Sequence, residues 1–248
     1  MSKLPSFADN LNVAVIGARG GIGAAFVEHL KRDERVARVH ALTRSPGYSI
    51  DGKVWHCPIE ITQEATIRNA AERVTAAEPA DLVIVATGIL HRGERIQPEK
   101  SLRDINADVM HEVLAVNAIG PTIVAKHFLP GMRRDSKSVF AVLSARVGSI
   151  SDNRLGGWAS YRASKAALNM LMKTLAIEHA RSCPESIVLT LHPGTVDTSL
   201  SKPFQGRVPK RKLFTAAAAA QHLLRVIDGV KKTDTGGFFA WDGKPIDF

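Results

Sequence analysis

The residues with the clearest chemical potential are a tyrosine and a lysine four positions apart, Tyr161 and Lys165, in the stretch SYRASKAALNM. The apolar spacing around them predicts a helix, so both side chains project from one helix face. A tyrosine has an ordinary pKa of about 10, too high for easy proton exchange at neutral pH, and a nearby ammonium favours the phenolate. The pair suits acid–base chemistry, although the same spacing is common on helices that have no catalytic role.

A glycine-rich stretch, VIGARGGIGAAF at 15–26, follows the first predicted strand, LNVAVI, and leads into a predicted helix. At such a turn, backbone N–H groups and the positive end of the helix converge on an anion. Gly17 can supply the turn, Gly21 the close approach of a phosphate, and Gly23 the packing of helix on strand. A tight turn of purely structural purpose looks the same, but the position after the first strand of an alternating chain favours a dinucleotide site.

The second predicted strand ends in LTRS, residues 42–45, which contains no acidic residue. An acidic side chain there would bind the ribose hydroxyls of NAD and repel the extra phosphate of NADP. Arg44 can instead hold that phosphate through charge-assisted hydrogen bonds, and Arg19 in the glycine loop can approach the same group. We therefore expect NADP, with NAD as the alternative cofactor if both arginines face solvent. Glu60, in PIEIT, is placed to reach the adenine edge or else is a surface residue.

Predicted strands and helices alternate along the whole chain. The predicted strands lie at 11–16, 38–43, 53–59, 81–87, 138–144, 186–192 and in GGFFAWD near the end of the sequence. The predicted helices follow the glycine loop and lie at 62–78, 104–117, 121–134, 161–180 and 215–230. This alternation predicts an α/β fold with one Rossmann-type domain over 1–248, a doubly wound parallel sheet of six to seven strands flanked by helices.

Composition argues against several other classes of protein. Hydrophobic residues make up 45% of the chain and charged residues 23%. No continuous apolar run approaches the ~20 residues of a membrane span, so we expect a soluble protein without a membrane partner. The first ten residues show no signal-peptide pattern, which makes the cytoplasm the expected location.

Charge and cysteine usage exclude two further kinds of site. The net charge is +9, but the basic residues are scattered and have few aromatic neighbours, so we do not expect nucleic-acid binding. Cys57 and Cys183 lack the spacing of metal ligands and are expected to be reduced structural thiols. No metal site is expected.

Two further motifs complete a recognisable pattern: Asn117 in AVNAIGP and the stretch HPGTVDT at 192–198. Together with GARGGIG and the Tyr161-x-x-x-Lys165 pair, in this order, they resemble the short-chain dehydrogenase/reductase family over nearly the whole chain. The stretches SARVGSISDNRLGGW and HPGTVDTSLSKPFQ are most similar to the branch that contains C-factor-type signalling proteins and sniffer-like carbonyl reductases.

The resemblance implies hydride transfer between a nicotinamide and a carbonyl or alcohol. Tyr161 would be the general acid in reduction and the base in oxidation. Lys165 would lower the pKa of Tyr161 and hold the cofactor ribose, and Asn117 would kink its helix and anchor a proton-relay water. The other residues expected at the cofactor are Ile22, Ile61, Ala86, Thr87, Gly88, Pro193, Gly194, Thr195, Val196 and Thr198.

Two positions depart from the family's pattern. The usual asparagine-alanine-glycine after the fourth strand reads ATG at 86–88. The serine that polarises the substrate oxygen begins an S-x-x-G frame, and counting back from Gly148 places Ala145 there. Ser144 is the preferred replacement because it ends its strand, and Ser149 is the alternative.

Two functions of different class follow from these features. One is an NADP-dependent, carbonyl reductase-like oxidoreductase, favoured by the intact Tyr161, Lys165 and Asn117. The other is a C-factor-like dinucleotide-binding signalling or regulatory protein with little turnover, favoured by the displaced serine. We expect the segment at about 198–214 to cover a small-molecule substrate, and the two long helices to pair subunits into a homodimer or homotetramer. The sequence gives neither the substrate nor the direction of the reaction.

Overall fold

In a computed structural model, which describes residues 4–45, 47–207 and 209–248, the chain folds around an eight-stranded sheet. The strands of this sheet are β1 (Leu11–Ile16), β2 (Val36–Thr43), β3 (Ser49–Asp51), β4 (Val54–Pro58), β5 (Leu82–Val85), β6 (Ser138–Leu143), β7 (Ser186–His192) and β10 (Phe238–Ala240). Two further strands, β8 (Thr195–Val196) and β9 (Leu213–Phe214), lie outside it. The sheet order is β10-β7-β6-β5-β1-β2-β4-β3, and only the pairing of β3 with β4 is antiparallel. The predicted doubly wound parallel sheet is confirmed.

Three short strands, β3, β8 and β9, have no counterpart among the predicted strands. All three residues of β3 are exposed, so the sequence carries no buried stripe that would indicate a strand there. The strands β8 and β9 are two residues each and pair with one another outside the main sheet. β3 forms by pairing with β4, the next strand along the chain, and β8 and β9 form by pairing with each other.

The helices cover both faces of the sheet. They are α1 (Gly21–Leu30), α2 (Glu64–Thr75), α3 (Ala107–Leu114), α4 (Gly120–Phe128), α5 (Ala159–Ala180) and α6 (Ala216–Gly229). On one face, Phe26 of α1 and Leu223 of α6 pack in a common core with β1. On the other face, Phe128 of α4 and Leu168 of α5 pack in a second core. These two cores hold the strand ends and α5 in place.

The helical segment from α3 to α4 is continuous, where the sequence predicts two separate helices. A π-helical turn at Ala115–Ile119 joins α3 to α4. The stretch Ala107–Gly131 has the length and composition of a membrane-spanning helix, with a mean hydropathy of 1.2, and half of the apolar window is buried inside the protein. A buried core helix has the same length and composition, and α4 packs here against α2 and α5.

Candidate active site

A cavity of about 1120 Å³ opens at the carboxyl ends of β1, β2, β4 and β5. It lies where the strand order reverses beside β1, the usual place for a ligand in an open α/β sheet. The expected cofactor residues in its wall are Gly17, Arg19, Arg44, Glu60, Ile61, Ala86, Thr87 and Gly88. The structure therefore brings together residues that the sequence had assigned to one site from separate parts of the chain.

The glycine loop has the backbone geometry of a tight, uncovered turn. Gly17 has a φ of +84°, a conformation that favours glycine, and a Cβ there would lie 3.0 Å from the Thr87 side chain. A Cβ on Gly23 would overlap the Gly17 carbonyl oxygen, so α1 can pack this closely only with glycine at that position. The N-cap residue of α1, Gly20, provides no side-chain cap, and the first turn of α1 contains no acidic residue. The uncapped N–H groups suit an anionic ligand.

Two arginines lie at the part of the cavity beside β2. Arg19 donates a hydrogen bond from Nη1 to the Ser45 hydroxyl, and Arg44 is exposed. Within the described ranges, no carboxylate lies at ion-pair distance from either guanidinium. In the wall beyond β4, Glu60 accepts hydrogen bonds from the Thr62 backbone, at 3.3 Å, and hydroxyl, at 3.1 Å. The positive charges of Arg19 and Arg44 beside β2 are therefore available to a ligand.

Asn117 lies inside the π-helical turn and is fully buried. Its amide oxygen accepts the Ile89 N–H at 2.8 Å, and its amide nitrogen donates to the Ile89 carbonyl at 2.8 Å. The same nitrogen donates to the Ser164 hydroxyl of α5 at 3.0 Å. A single π turn is a common feature of functional sites, and here it places one side chain between the segment after β5 and α5. The sequence resemblance predicts a kink at Asn117, and the structure has a π-helical turn at that position.

Tyr161 and Lys165 lie one turn apart on α5, and both are buried. The lysine Nζ lies 5.9 Å from the centroid of the tyrosine ring and donates to the Leu143 carbonyl at 2.9 Å. A Cβ on Gly88 would lie 3.7 Å from the same Nζ and 3.5 Å from the Asn117 amide oxygen. Asn117 and Lys165 therefore meet beside Gly88, which lies in the cavity wall, and Tyr161 lies next to Lys165 on α5. None of the three side chains is itself among the residues that line the cavity.

Burial controls the ionisation of the pair. It raises the pKa of Tyr161 to about 12 and lowers the pKa of Lys165 to about 8. The sequence predicts that Lys165 lowers the pKa of Tyr161, whereas the net shift in this structure is upward because burial disfavours the phenolate. At neutral pH the phenol is protonated and can act as a proton donor.

The two candidate serines are both buried, at 4% and 2% exposure, and neither lies in the cavity wall. Ser144 donates its hydroxyl hydrogen to the Asn169 side-chain oxygen of α5 at 2.7 Å. Ser149 accepts the Asp152 N–H at 3.2 Å and lies 3.3 Å from the Ser151 hydroxyl. To polarise a substrate oxygen, Ser144 would have to release Asn169.

Several expected cofactor residues lie behind the cavity wall rather than in it. Ile22 packs against the core next to β1, and a Cβ on Gly21 would meet the Thr198 side chain at 2.6 Å. Gly194 has a φ of +77° and lies against the Phe214 ring. The pairing of Thr195 with Leu213 and of Val196 with Phe214 ties down both ends of the expected substrate cover. Pro193 follows directly after β7, and no residue of 193–198 is among those that line the cavity.

The expected substrate cover, at about 198–214, lies beside His91 and Trp158. Ser199 and Leu200 line the cavity, and the Ser199 carbonyl lies 3.0 Å from Nε2 of His91. The centroid of the Phe204 ring lies 5.1 Å from that of the Trp158 ring and 5.7 Å from that of the His91 ring. The Trp158 ring in turn lies edge to face with the Tyr161 ring, and the two ring centroids are 6.3 Å apart. Val208, in the same segment, lies outside the described residues.

Three residues of this region were not singled out from the sequence. His91 contacts the cover, Glu99 binds the beginning of α5, and Asn169 holds Ser144. Asn169 could have been found, because it continues the four-residue spacing of Tyr161 and Lys165 along α5. Nothing local marks His91 or Glu99, whose partners lie far along the chain.

A family model described as short chain dehydrogenase matches residues 11–207. A protein of Rhodococcus sp. (strain AD45) named 1-hydroxy-2-glutathionyl-2-methyl-3-butene dehydrogenase is 28% identical over 232 residues, covering 93% of this chain and 96% of that protein. C-signal of Myxococcus xanthus is 34% identical over 147 residues, covering 59% of this chain and 82% of C-signal.

A crystal structure of NADPH-bound carbonyl reductase from chicken fatty liver superposes with a TM-score of 0.82. The two chains are 26% identical, and the superposition covers 98% of this chain and 96% of that one. The resemblance to C-factor-type proteins and to carbonyl reductases that the sequence motifs indicated is confirmed by these two relatives.

Proposed function

The chain belongs to the short-chain dehydrogenase family, and we propose that it transfers a hydride between a nicotinamide dinucleotide and a carbonyl or alcohol carbon. The observation that carries the proposal is the approach of Asn117 and Lys165 to Gly88, in the wall of a cavity that begins at the glycine loop, with Tyr161 one turn from Lys165 on α5. A bound nicotinamide would supply or accept the hydride. The side chains of Tyr161, Lys165 and Asn117 would transfer the proton.

Tyr161 is proposed as the proton donor in carbonyl reduction. With a pKa of about 12, its phenol is fully protonated at neutral pH. Among the described residues, its hydroxyl makes no hydrogen bond, which leaves that group free for a substrate oxygen. Lys165 would hold the ribose and restore the proton, and its pKa of about 8 keeps it mostly charged at pH 7. Asn117 would anchor the water that connects the lysine with solvent.

We propose NADP as the preferred dinucleotide. The support is Arg19 and Arg44 at the wall beside β2, where no described carboxylate neutralises them. Two guanidinium groups favour a ribose phosphate strongly, because hydrogen bonds between charged partners are about twice as strong as neutral ones. The carbonyl reductase from chicken fatty liver, which has the same fold, binds NADPH.

The second candidate function is that of a signalling or regulatory protein. The 34% identity with C-signal and the alanine at position 145 favour a dinucleotide-binding signalling protein with little turnover. The test is NADPH oxidation against a panel of aldehydes and ketones, with Tyr161→Phe as the control. Turnover that the substitution abolishes supports the oxidoreductase, whereas cofactor binding without turnover on any substrate supports the signalling protein.

We also propose a homodimer or homotetramer formed through the helices that carry Asn117 and Tyr161. The support is a set of exposed apolar side chains on these helices, Ile119, Met170 and Ile177, which are 54%, 67% and 53% exposed. Burying such side chains is worth roughly 1.5–3 kcal/mol each. Light scattering on the purified protein tests this proposal, and a monomer at all concentrations would contradict it.

A further inference from the structure

Glu99 is a buried carboxylate to which the roles assigned above give no task. It lies in the segment that follows β5, and only 3% of it is exposed. Removing a carboxylate from water is costly unless hydrogen bonds or an opposite charge compensate for it. The partners of Glu99 therefore indicate what the carboxylate is for.

All of these partners belong to the beginning of α5. The two carboxylate oxygens each lie 3.3 Å from the Ser160 backbone nitrogen, which donates its hydrogen to them. The Ser160 hydroxyl also donates to the carboxylate, and the Trp158 N–H donates to the Glu99 backbone carbonyl at 2.6 Å. Side chain and backbone of Glu99 thus hold the same three-residue stretch.

The local chain does not provide a cap of its own. Gly156, Gly157 and Trp158 are all left-handed, with φ values of +63°, +65° and +54°, and the Trp158 side chain makes no capping bond. The first N–H groups of a helix need an acceptor, and a negative charge there is stabilised by the helix dipole. Glu99 therefore caps α5 from a position 61 residues earlier in the chain.

The capped turn carries the proton donor. Tyr161 directly follows Ser160, and its ring contacts the Trp158 ring. Lys165, one turn later, has an independent anchor in the Leu143 carbonyl. We propose that Glu99 is a positioning residue that holds the Tyr161 hydroxyl in place for proton transfer, and this proposal rests on the function proposed above.

The carboxylate charge and the length of the side chain both matter in this arrangement. Glu99→Gln keeps one oxygen that can accept the Ser160 N–H but loses the charge that complements the helix end. Glu99→Ala loses both the accepting oxygen and the charge. The Glu94→Ala change is a matched control, because Glu94 lies in the same segment and is exposed.

The first experiment measures NADPH affinity and turnover for the three variants, well below their melting temperatures. We expect Glu99→Ala to lower kcat by at least about tenfold with NADPH Kd unchanged, because small misplacements of a reacting group cost this much or more. Glu99→Gln should recover part of the loss, and Glu94→Ala should match wild type. A folded Glu99→Ala protein with wild-type kcat and only a lower Tm would overturn the proposal.

The second experiment does not depend on turnover. Hydrogen exchange of the backbone amides at 159–165 should be faster in Glu99→Gln than in wild type or Glu94→Ala, because the cap is weakened. Unchanged exchange in this turn overturns the proposal even if Glu99→Ala fails to fold. Faster exchange in an enzyme whose wild type turns over no substrate would support the cap while the proposed function fails.

Discussion

The ammonium group of Lys165 donates a hydrogen bond to the backbone carbonyl of Leu143, 2.9 Å away at the end of β6. A Cβ on Gly148 would lie only 2.6 Å from the lysine Cβ, so the chain packs closely around the stem of this side chain. The lysine is thus held by protein groups, in surroundings that lower its pKa to about 8. This buried charge affects both the stability of the protein and its chemistry.

The stability of the protein should depend on pH through Lys165. Between the folded pKa of about 8 and the ordinary value of 10.5, the unfolded state binds a proton that the folded state has lost. The free energy of unfolding therefore rises with pH in this window, and the full penalty for burying the charge applies below pH 8. We predict that wild type gains stability relative to Lys165→Met when the pH is raised from about 7.5 to about 9.5.

Urea unfolding of both proteins measures this difference. Lys173→Met is the matched control, because Lys173 is an exposed lysine on the same helix. A constant difference between wild type and Lys165→Met across the pH series would contradict the lowered pKa.

The cofactor preference should depend on the two arginines beside β2. Arg44→Ala and Arg19→Ala should each raise the Kd for NADPH about tenfold or more, because a hydrogen bond to a charged group is worth about 1.5–3 kcal/mol. The Kd for NADH should stay nearly constant, since NADH lacks the extra phosphate. Arg38→Ala is the control, because Arg38 stacks on Trp55 instead. Titration of intrinsic fluorescence gives both constants, and tighter binding of NADH by wild type would exclude the assignment.

Ser144 is expected to contribute little to turnover. Its hydroxyl hydrogen is already donated to Asn169, so we predict that Ser144→Ala lowers kcat by less than about threefold, whereas loss of an oxyanion-type donor costs about 10²-fold or more. The lost hydrogen bond should cost roughly 1 kcal/mol of stability. Steady-state kinetics and thermal unfolding on the same preparation measure both effects. A fall of about 10²-fold in kcat would show that the serine leaves Asn169 to polarise the substrate.

Local motifs allowed much of the fold and the cofactor end of the site to be predicted. The glycine loop between β1 and α1 and the pair Tyr161 and Lys165 on α5 are short-range patterns, and each has its expected place in the structure. The strand β3 could not be predicted, because its three residues are exposed and gain their structure only from pairing with β4.

The supporting contacts of the site could not be predicted for a related reason. Glu99 meets Ser160 across 61 residues, and Ser144 meets Asn169 across 25. Such contacts depend on how the loops after β5 and β6 come to lie on α5, and no local periodicity encodes that arrangement. The pKa of Tyr161 illustrates the same limit. Burial sets the direction of its pKa shift, and the spacing between Tyr161 and Lys165 does not reveal burial.

The most direct test of the proposed function is the fate of the transferred hydrogen. Wild-type protein would be incubated with NADPH deuterated at the reactive C4 position and a carbonyl panel, and the products analysed by mass spectrometry. We expect deuterium on the carbinol carbon and a loss of at least about 10²-fold in rate for Tyr161→Phe, with cofactor binding intact. Absence of labelled alcohol from every substrate, or equal rates in the Tyr161→Phe variant, would contradict it.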